Sequence, residues 1–165
     1  RALASSLRAL RLAYLPLGEE DLVQCLAQLQ VQEGGSSEGR GTGLEELDLR
    51  FSMANREGDP VSDRFLKQLS MPLGGVERHR GVKPCGEVTP LALERLEKVQ
   101  LQCSGDRCSQ MGLLDFLRSR TSRVAQHRLK EFHFYSMSPV LEDPARYTEE
   151  WAKVGLSCEI DSVMV

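Results

Sequence analysis

"LEELDLRF", residues 44–51, carries two hydrophobic periods at once. Leu44 to Leu47 is a step of three, and Leu47 to Leu49 is a step of two. A helix does not produce the second step, because neighbours on its face lie three or four residues apart. A plain strand does not produce the first, because its side chains alternate. A turn running into a short strand needs both: the first Leu sits on the turn, and the L-x-L pair projects from one face of the strand.

The same spacing recurs at Leu7, Leu10, Leu12, at Leu96, Val99, Leu101 and at Leu129, Phe132, Phe134. This is the L-x-x-L-x-L core of a leucine-rich repeat. Helical spacing follows each copy. Leu22, Leu26 and Leu29 form one stripe, and Phe65, Leu66 and Leu69 another behind a capping Ser62. Ser109 can cap a third helix striped by Leu113, Leu114 and Leu117. In the fourth, Asp143 caps, Pro144 takes the first position, Tyr147, Trp151 and Val154 form the stripe, and Gly155 stops it. A closing strand, "LSCEIDSVMV", completes the order β-α-β-α-β-α-β-α-β.

Each unit is too small to bury its own apolar face, so the units must stack. The expectation is one α/β domain over 1–165, a ribonuclease-inhibitor-like leucine-rich-repeat solenoid fragment with the parallel sheet inside and helices outside. The units are irregular. Leu7, Leu44, Leu96 and Leu129 are 37, 52 and 33 residues apart, against about 20–29 for the usual repeat. Glycine-rich insertions at about 32–43 and 71–90 account for most of the excess, as loops on the rim. The Asn or Cys that often closes the strand motif is only loosely present, as Cys103 or Ser104 in one copy and Leu15, Ser52 and Met137 in the others.

Composition narrows the class of partner. The 24 acids and 21 bases leave a net charge of −3, which gives no reason to expect nucleic acid or an anionic membrane. No apolar run approaches the roughly 18 residues of a transmembrane helix. Five cysteines at irregular spacing do not make a disulfide framework, which favours a reducing compartment, cytoplasmic or nuclear. The chain opens on Arg1 in the middle of a pattern and reads as a fragment of a longer protein. Arg1, Arg8 and Arg11 precede any acid, as in an organelle transit peptide, but the strand pattern explains them better. A first unit with no polar cap should expose apolar surface and promote association.

Catalytic and metal chemistry find little support. Cys103 and Cys108 have C-x4-C spacing but no second ligand pair, and pack better as two small hydrophobes. His79, His127 and His133 show no ligand spacing. Cys85 in "KPCGE" has basic neighbours but no His paired with it by sequence. The glycine clusters lack phosphate-binding forms. The basic run 118–130, with Arg118, Arg120, Arg123, Arg128 and Lys130, reads as a helix terminus with solvated bases. The chain is therefore expected to have no cofactor and no metal, and to be a binding protein rather than an enzyme.

Alternation places the binding face. If the L-x-L side chains point into the core, Arg11, Ala13, Asp48, Arg50, Gln100, Gln102, His133, Tyr135, Glu159 and Asp161 point away from it. That track mixes charge with hydrogen-bonding groups and suits a protein or peptide better than a polyanion. Arg11, Asp48, Arg50, Gln100, Gln102, His133, Tyr135 and Glu159 are the candidate partner-binding residues.

Long, uneven units ending in "EEWAKVGLSCEID" resemble the C-terminal repeat regions of fungal F-box proteins, in which divergent repeats finish with an acidic, aromatic helix and a short strand. The F-box itself, the N-terminal helical module that binds the ubiquitin-ligase adaptor, is not in this sequence. The resemblance implies substrate recognition for an SCF-type ubiquitin ligase. The repeat style is also compatible with a scaffold or regulatory segment of another intracellular leucine-rich protein, such as an immune receptor.

Overall fold

The computed structural model describes residues 7–31, 43–51, 59–70, 93, 95–122 and 128–162. Five strands and four helices alternate along the chain: β1 (Ala9–Ala13), α1 (Glu19–Val31), β2 (Glu46–Arg50), α2 (Asp63–Leu69), β3 (Lys98–Cys103), α3 (Gln110–Thr121), β4 (Glu131–Ser136), α4 (Pro144–Ala152) and β5 (Ser157–Ser162). The strands form one sheet in the order β1-β2-β3-β4-β5, every pair parallel. Parallel neighbours need a crossover, and each helix lies in the chain between two adjacent strands.

Register stacks the apolar pairs. Leu10, Leu47, Val99, Phe132 and Cys158 are partners across the sheet, as are Leu12, Leu49, Leu101, Phe134 and Ile160. These side chains share one core with the buried faces of the helices, including Leu22 and Leu26 of α1, Phe65, Leu66 and Leu69 of α2, and Leu113, Phe116 and Leu117 of α3. Phe116 lies against Phe132 with ring centroids 5.5 Å apart. The opposite face of the sheet carries polar side chains in the middle three strands.

The helix starts follow capping chemistry. The hydroxyls of Ser62 and Ser109 accept from the N–H groups of Phe65 and Gly112, and Asp143 accepts from that of Arg146 with Pro144 at the first position. Gly155, at φ 84°, takes the left-handed conformation that ends the last helical turn. A side chain at Gly112 would run into the Asp63 carboxylate, so glycine is what lets α3 start against α2.

Three expectations need correction. Leu10 and Leu12 are half-buried instead of core, because β1 is the sheet edge and has a neighbour on one side only. Val154 is exposed, since α4 stops at Ala152 and turns the chain before that position can face inward. Arg120 is not a solvated base of the 118–130 run: it is 0% exposed. Its Nε and Nη2 donate to the carbonyl of Leu69, the last residue of α2, and Nη1 donates to that of Leu93 at 2.8 Å. Arg118 meets Asp115 and Lys130 meets Glu97, so these bases of the run are paired within the protein. Arg123, His127, His79, Cys85, Ser52, the glycine-rich insertions at 32–42 and 71–90, and the Leu29 side chain lie outside the described residues.

Candidate functional site

The register sorts the polar face of the sheet into three rows. One runs Arg11, Asp48, Gln100, His133, Glu159; the next runs Ala13, Arg50, Gln102, Tyr135, Asp161. The third, towards the strand beginnings, is Ala9, Glu46, Lys98, Glu131, Ser157. All eight candidate partner-binding residues fall in the first two rows. Strict alternation on five in-register parallel strands leaves them no other face.

Sharing a face does not make them equally available. Asp48 is only 6% exposed. Its two oxygens accept from Arg50 Nε at 3.0 Å and Nη2 at 2.9 Å, a bidentate pair along the same side of β2. The hydrogen bond and charge of Asp48 hold the Arg50 guanidinium above its ordinary pKa. Asp48 therefore acts as a positioning residue for Arg50 and leaves Arg50 as the group presented. Arg11 Nη2 reaches Glu46 Oε1 at 2.8 Å, so it too is oriented by a neighbouring carboxylate.

At the other end of the face, β4 and β5 build an aromatic cluster. The rings of His133 and Tyr135 stack with centroids 6.4 Å apart and planes 17° from parallel. His133 Nδ1 lies 2.8 Å from Glu159 Oε2, and Tyr135 donates its hydroxyl to the same oxygen at 3.2 Å. Burial first, then the Glu159 hydrogen bond and charge, push the Tyr135 phenol up from its ordinary value. One carboxylate oxygen thus locks two rings in a fixed orientation, and a pre-oriented aromatic surface loses little entropy on binding. Between the two ends, Gln100 and Gln102 are half-buried and have no side-chain hydrogen-bond partner among the described residues. Their amides offer both donors and acceptors to a ligand.

The third row was not singled out from sequence. Salt bridges Arg8–Glu45, Lys98–Glu131 and Lys130–Glu97, each at 2.7 Å, surround a hollow of about 250 Å³ there. These three ion pairs, together with that of Glu46 with Arg11, leave each acid lining the hollow beside a base. Periodicity could not find it, because Glu45, Glu97 and Lys130 sit one residue before their strands.

A second feature missed from sequence lies beyond the opposite strand ends. Buried Asp59 accepts from Val61 N, from Ser104 N at 2.7 Å and from Ser104 Oγ at 2.6 Å. Arg107 donates to the Asp59 carbonyl at 2.6 Å and to Glu19 Oε2 at 3.0 Å, where Ser62 also donates. These bonds tie α1 and α2 to the β3–α3 turn and satisfy polar groups that would otherwise be buried unpaired. The "GDP" at 58–60 was the only local hint.

The C-x4-C thiols do meet. A hydrogen bond with Cys108, followed by burial, raises the Cys103 pKa, and Cys108 Sγ also donates to the Val61 carbonyl at 3.5 Å. Burial pushes the Cys158 thiol up to about 12 from an ordinary 9.0. Both raised thiols stay protonated at neutral pH, which suppresses nucleophilicity. Iodoacetamide at pH 8 is expected to modify exposed Cys25 in the folded protein and to reach Cys103 and Cys158 only after unfolding. Mass spectrometry finding either buried site alkylated under native conditions would contradict their burial. A raised folded-state pKa means the folded protein retains protons that the unfolded chain has lost. Stability from these thiols is therefore present below about pH 9 and declines as pH rises from there towards 12.

Among the described residues, no three His, Cys, Asp or Glu side chains converge as a metal site, and no helix is long and apolar enough to cross a membrane. Comparison with protein-family models, curated proteins and solved structures finds no match to this chain.

Proposed function

We propose that the chain is a leucine-rich-repeat solenoid segment that recognises a protein or an extended peptide on the open face of its sheet. Within this reading it is a substrate-recognition region for an SCF-type ubiquitin ligase, working in the cytoplasm or nucleus. Its contact with the ligase adaptor would run through an N-terminal module outside this sequence. Binding, rather than catalysis, is its role.

The observation that carries the binding reading is the pair of in-register polar rows on one face of the sheet, which no described element covers. Arg50 is held by Asp48 at one end, and Tyr135 and His133 are held by Glu159 at the other. Between them lie the Gln100 and Gln102 amides, which have no side-chain partner among the described residues. Arginine and tyrosine are the residue types that most often dominate recognition energy, and here both are pre-oriented. Mixed charge suits a polypeptide better than a phosphate backbone, which calls for bases throughout. The ligase assignment rests on the resemblance of the uneven units and the "EEWAKVGLSCEID" ending to F-box repeat regions.

Peptides selected from a displayed library against the wild-type chain provide the test. Tyr135→Ala and Arg50→Glu are each expected to weaken the selected peptides by at least about tenfold, with folding checked by circular dichroism. Unchanged affinity in both variants would move the site off this face. The ligase assignment is tested separately. Proteins carrying the selected motif should gain ubiquitin when proteasomes are inhibited and should live longer when this protein is depleted. Unchanged lifetimes would remove the ligase while leaving the binding site in place.

A further inference from the structure

The turn from β3 into α3 carries a thiol at each end, and the binding reading uses neither. Cys103 ends β3 on the core side, in phase with Val99 and Leu101, and is 0% exposed. Past it, Gly105 at φ 83° reverses the chain, and Cys108 N donates to the Gly105 carbonyl at 3.1 Å. That closure brings Cys108 back to the strand end, where it packs half-buried against the same core.

Both ends of the turn also meet one short segment, residues 59–61. Ser104 N, next to Cys103, donates to Asp59 at 2.7 Å, and Cys108 Sγ donates to the Val61 carbonyl at 3.5 Å. Cys103 in turn gives its S–H to Cys108. A chain of donors therefore runs from Cys103 through Cys108 to the Val61 carbonyl. Packing alone does not call for two thiols here. A serine at 108 would offer that carbonyl a stronger donor, because S–H donates weakly. What the pair adds is a covalent bond that can form and break.

Access divides the two sulfurs into different roles. A small oxidant can reach half-buried Cys108, whereas Cys103 has no exposed surface and can meet only its neighbour. An accessible cysteine beside a resolving one is the arrangement found in reversible thiol oxidation. In a reducing compartment such bonds are transient and redox-sensing rather than structural. This fits a chain whose cysteines make no disulfide framework.

We propose that Cys103 and Cys108 form a reversible disulfide in response to hydrogen peroxide, with Cys108 oxidised first and Cys103 resolving it. The Cys108 thiolate attacks one peroxide oxygen and the O–O bond breaks, which leaves a sulfenic acid on Cys108. The displaced hydroxide takes up the proton that Cys108 released and becomes water. The Cys103 sulfur then bonds to the Cys108 sulfur, and its proton departs with the sulfenic oxygen as a second water. The two thiols are oxidised and the peroxide is reduced; a dithiol reverses the bond by exchange. The new bond lies in the turn whose Ser104 and Arg107 tie α1 and α2 to α3, and it removes the S–H that Val61 accepts. The proposal is independent of the peptide reading.

Peptide mapping of the folded protein, treated with hydrogen peroxide at low protein concentration and then alkylated, tests it. Trypsin cuts after Arg107, between the two cysteines, so the bond appears as peptides 99–107 and 108–118 joined together and parted by dithiothreitol. Dimedone, added with the peroxide, traps any sulfenic acid. Wild type should give the joined pair and almost no adduct. Cys103→Ala should give the dimedone adduct on Cys108, because no thiol resolves it there. Cys108→Ser should leave Cys103 unmodified while the chain is folded, since Cys103 is buried. Circular dichroism checks each fold, and Cys103→Ser replaces the alanine variant if that one unfolds. Joined peptides that appear only in urea would overturn the proposal. So would bonds from Cys108 to another cysteine in place of Cys103, or a folded Cys103 variant with no adduct on Cys108.

Discussion

Replacing Arg120 by alanine is expected to remove about 3–5 kcal/mol of folding stability. The guanidinium is fully buried and holds the carbonyls of Leu69 and Leu93, so it joins the end of α2 to the chain entering β3. Each buried carbonyl left without a donor costs about 1–3 kcal/mol. Loss of the aliphatic stem adds a cavity. Removing a buried charge returns some desolvation energy, which holds the total below the full sum. Arg120→Met keeps most of the stem and should recover only part of the loss, which separates packing from hydrogen bonding. Urea denaturation gives both values. A change under about 1 kcal/mol in Arg120→Ala would mean the guanidinium is not what satisfies those carbonyls. Against a typical domain stability of about 5–15 kcal/mol, the expected loss decides whether the chain stays folded.

Phe132→Ala should cost roughly 3–5 kcal/mol, the range for emptying a large aromatic site. Phe132 is fully buried between Phe116, at a centroid distance of 5.5 Å, and Phe134, at 6.3 Å. The hole therefore opens where strand and helix layers interdigitate, and neither layer can collapse into it without moving a strand. Leu10→Ala on the edge strand is the internal comparison. Half-buried and able to relax towards solvent, it should cost only about 1 kcal/mol. Equal losses at the two positions would show that β1 is as enclosed as β4.

The value of Arg120 could not be read from its surroundings in the chain. "RSRTSR" looks like a solvated helix end, and only the crossing of α3 over the end of α2 turns one of its arginines inward. Asp59 is similar. Its partners Ser104 and Arg107 lie 45 and 48 residues away in sequence. The contact depends on how α2 and the β3–α3 turn meet, which no local period encodes.

Local periodicity and capping were sufficient for the elements themselves. The three-then-two spacing placed β1 to β4. The Ser62, Ser109 and Asp143 starts were legible because an N-cap acts within one helical turn. Alternation was likewise sufficient to put Arg11, Asp48, Arg50, Gln100, Gln102, His133, Tyr135 and Glu159 on one face, since side-chain direction in a strand has period two. The same alternation told which side of each strand carries the apolar pairs, but not how deeply each pair is buried. The tertiary arrangement was needed for Glu159 to orient His133 and Tyr135 from the next strand, and for Leu10 and Leu12 to be left half-open at an edge. Those outcomes depend on interstrand distances of a few ångströms and on which strand has a neighbour, and pairwise electrostatics and packing act through that spacing rather than through order along the chain.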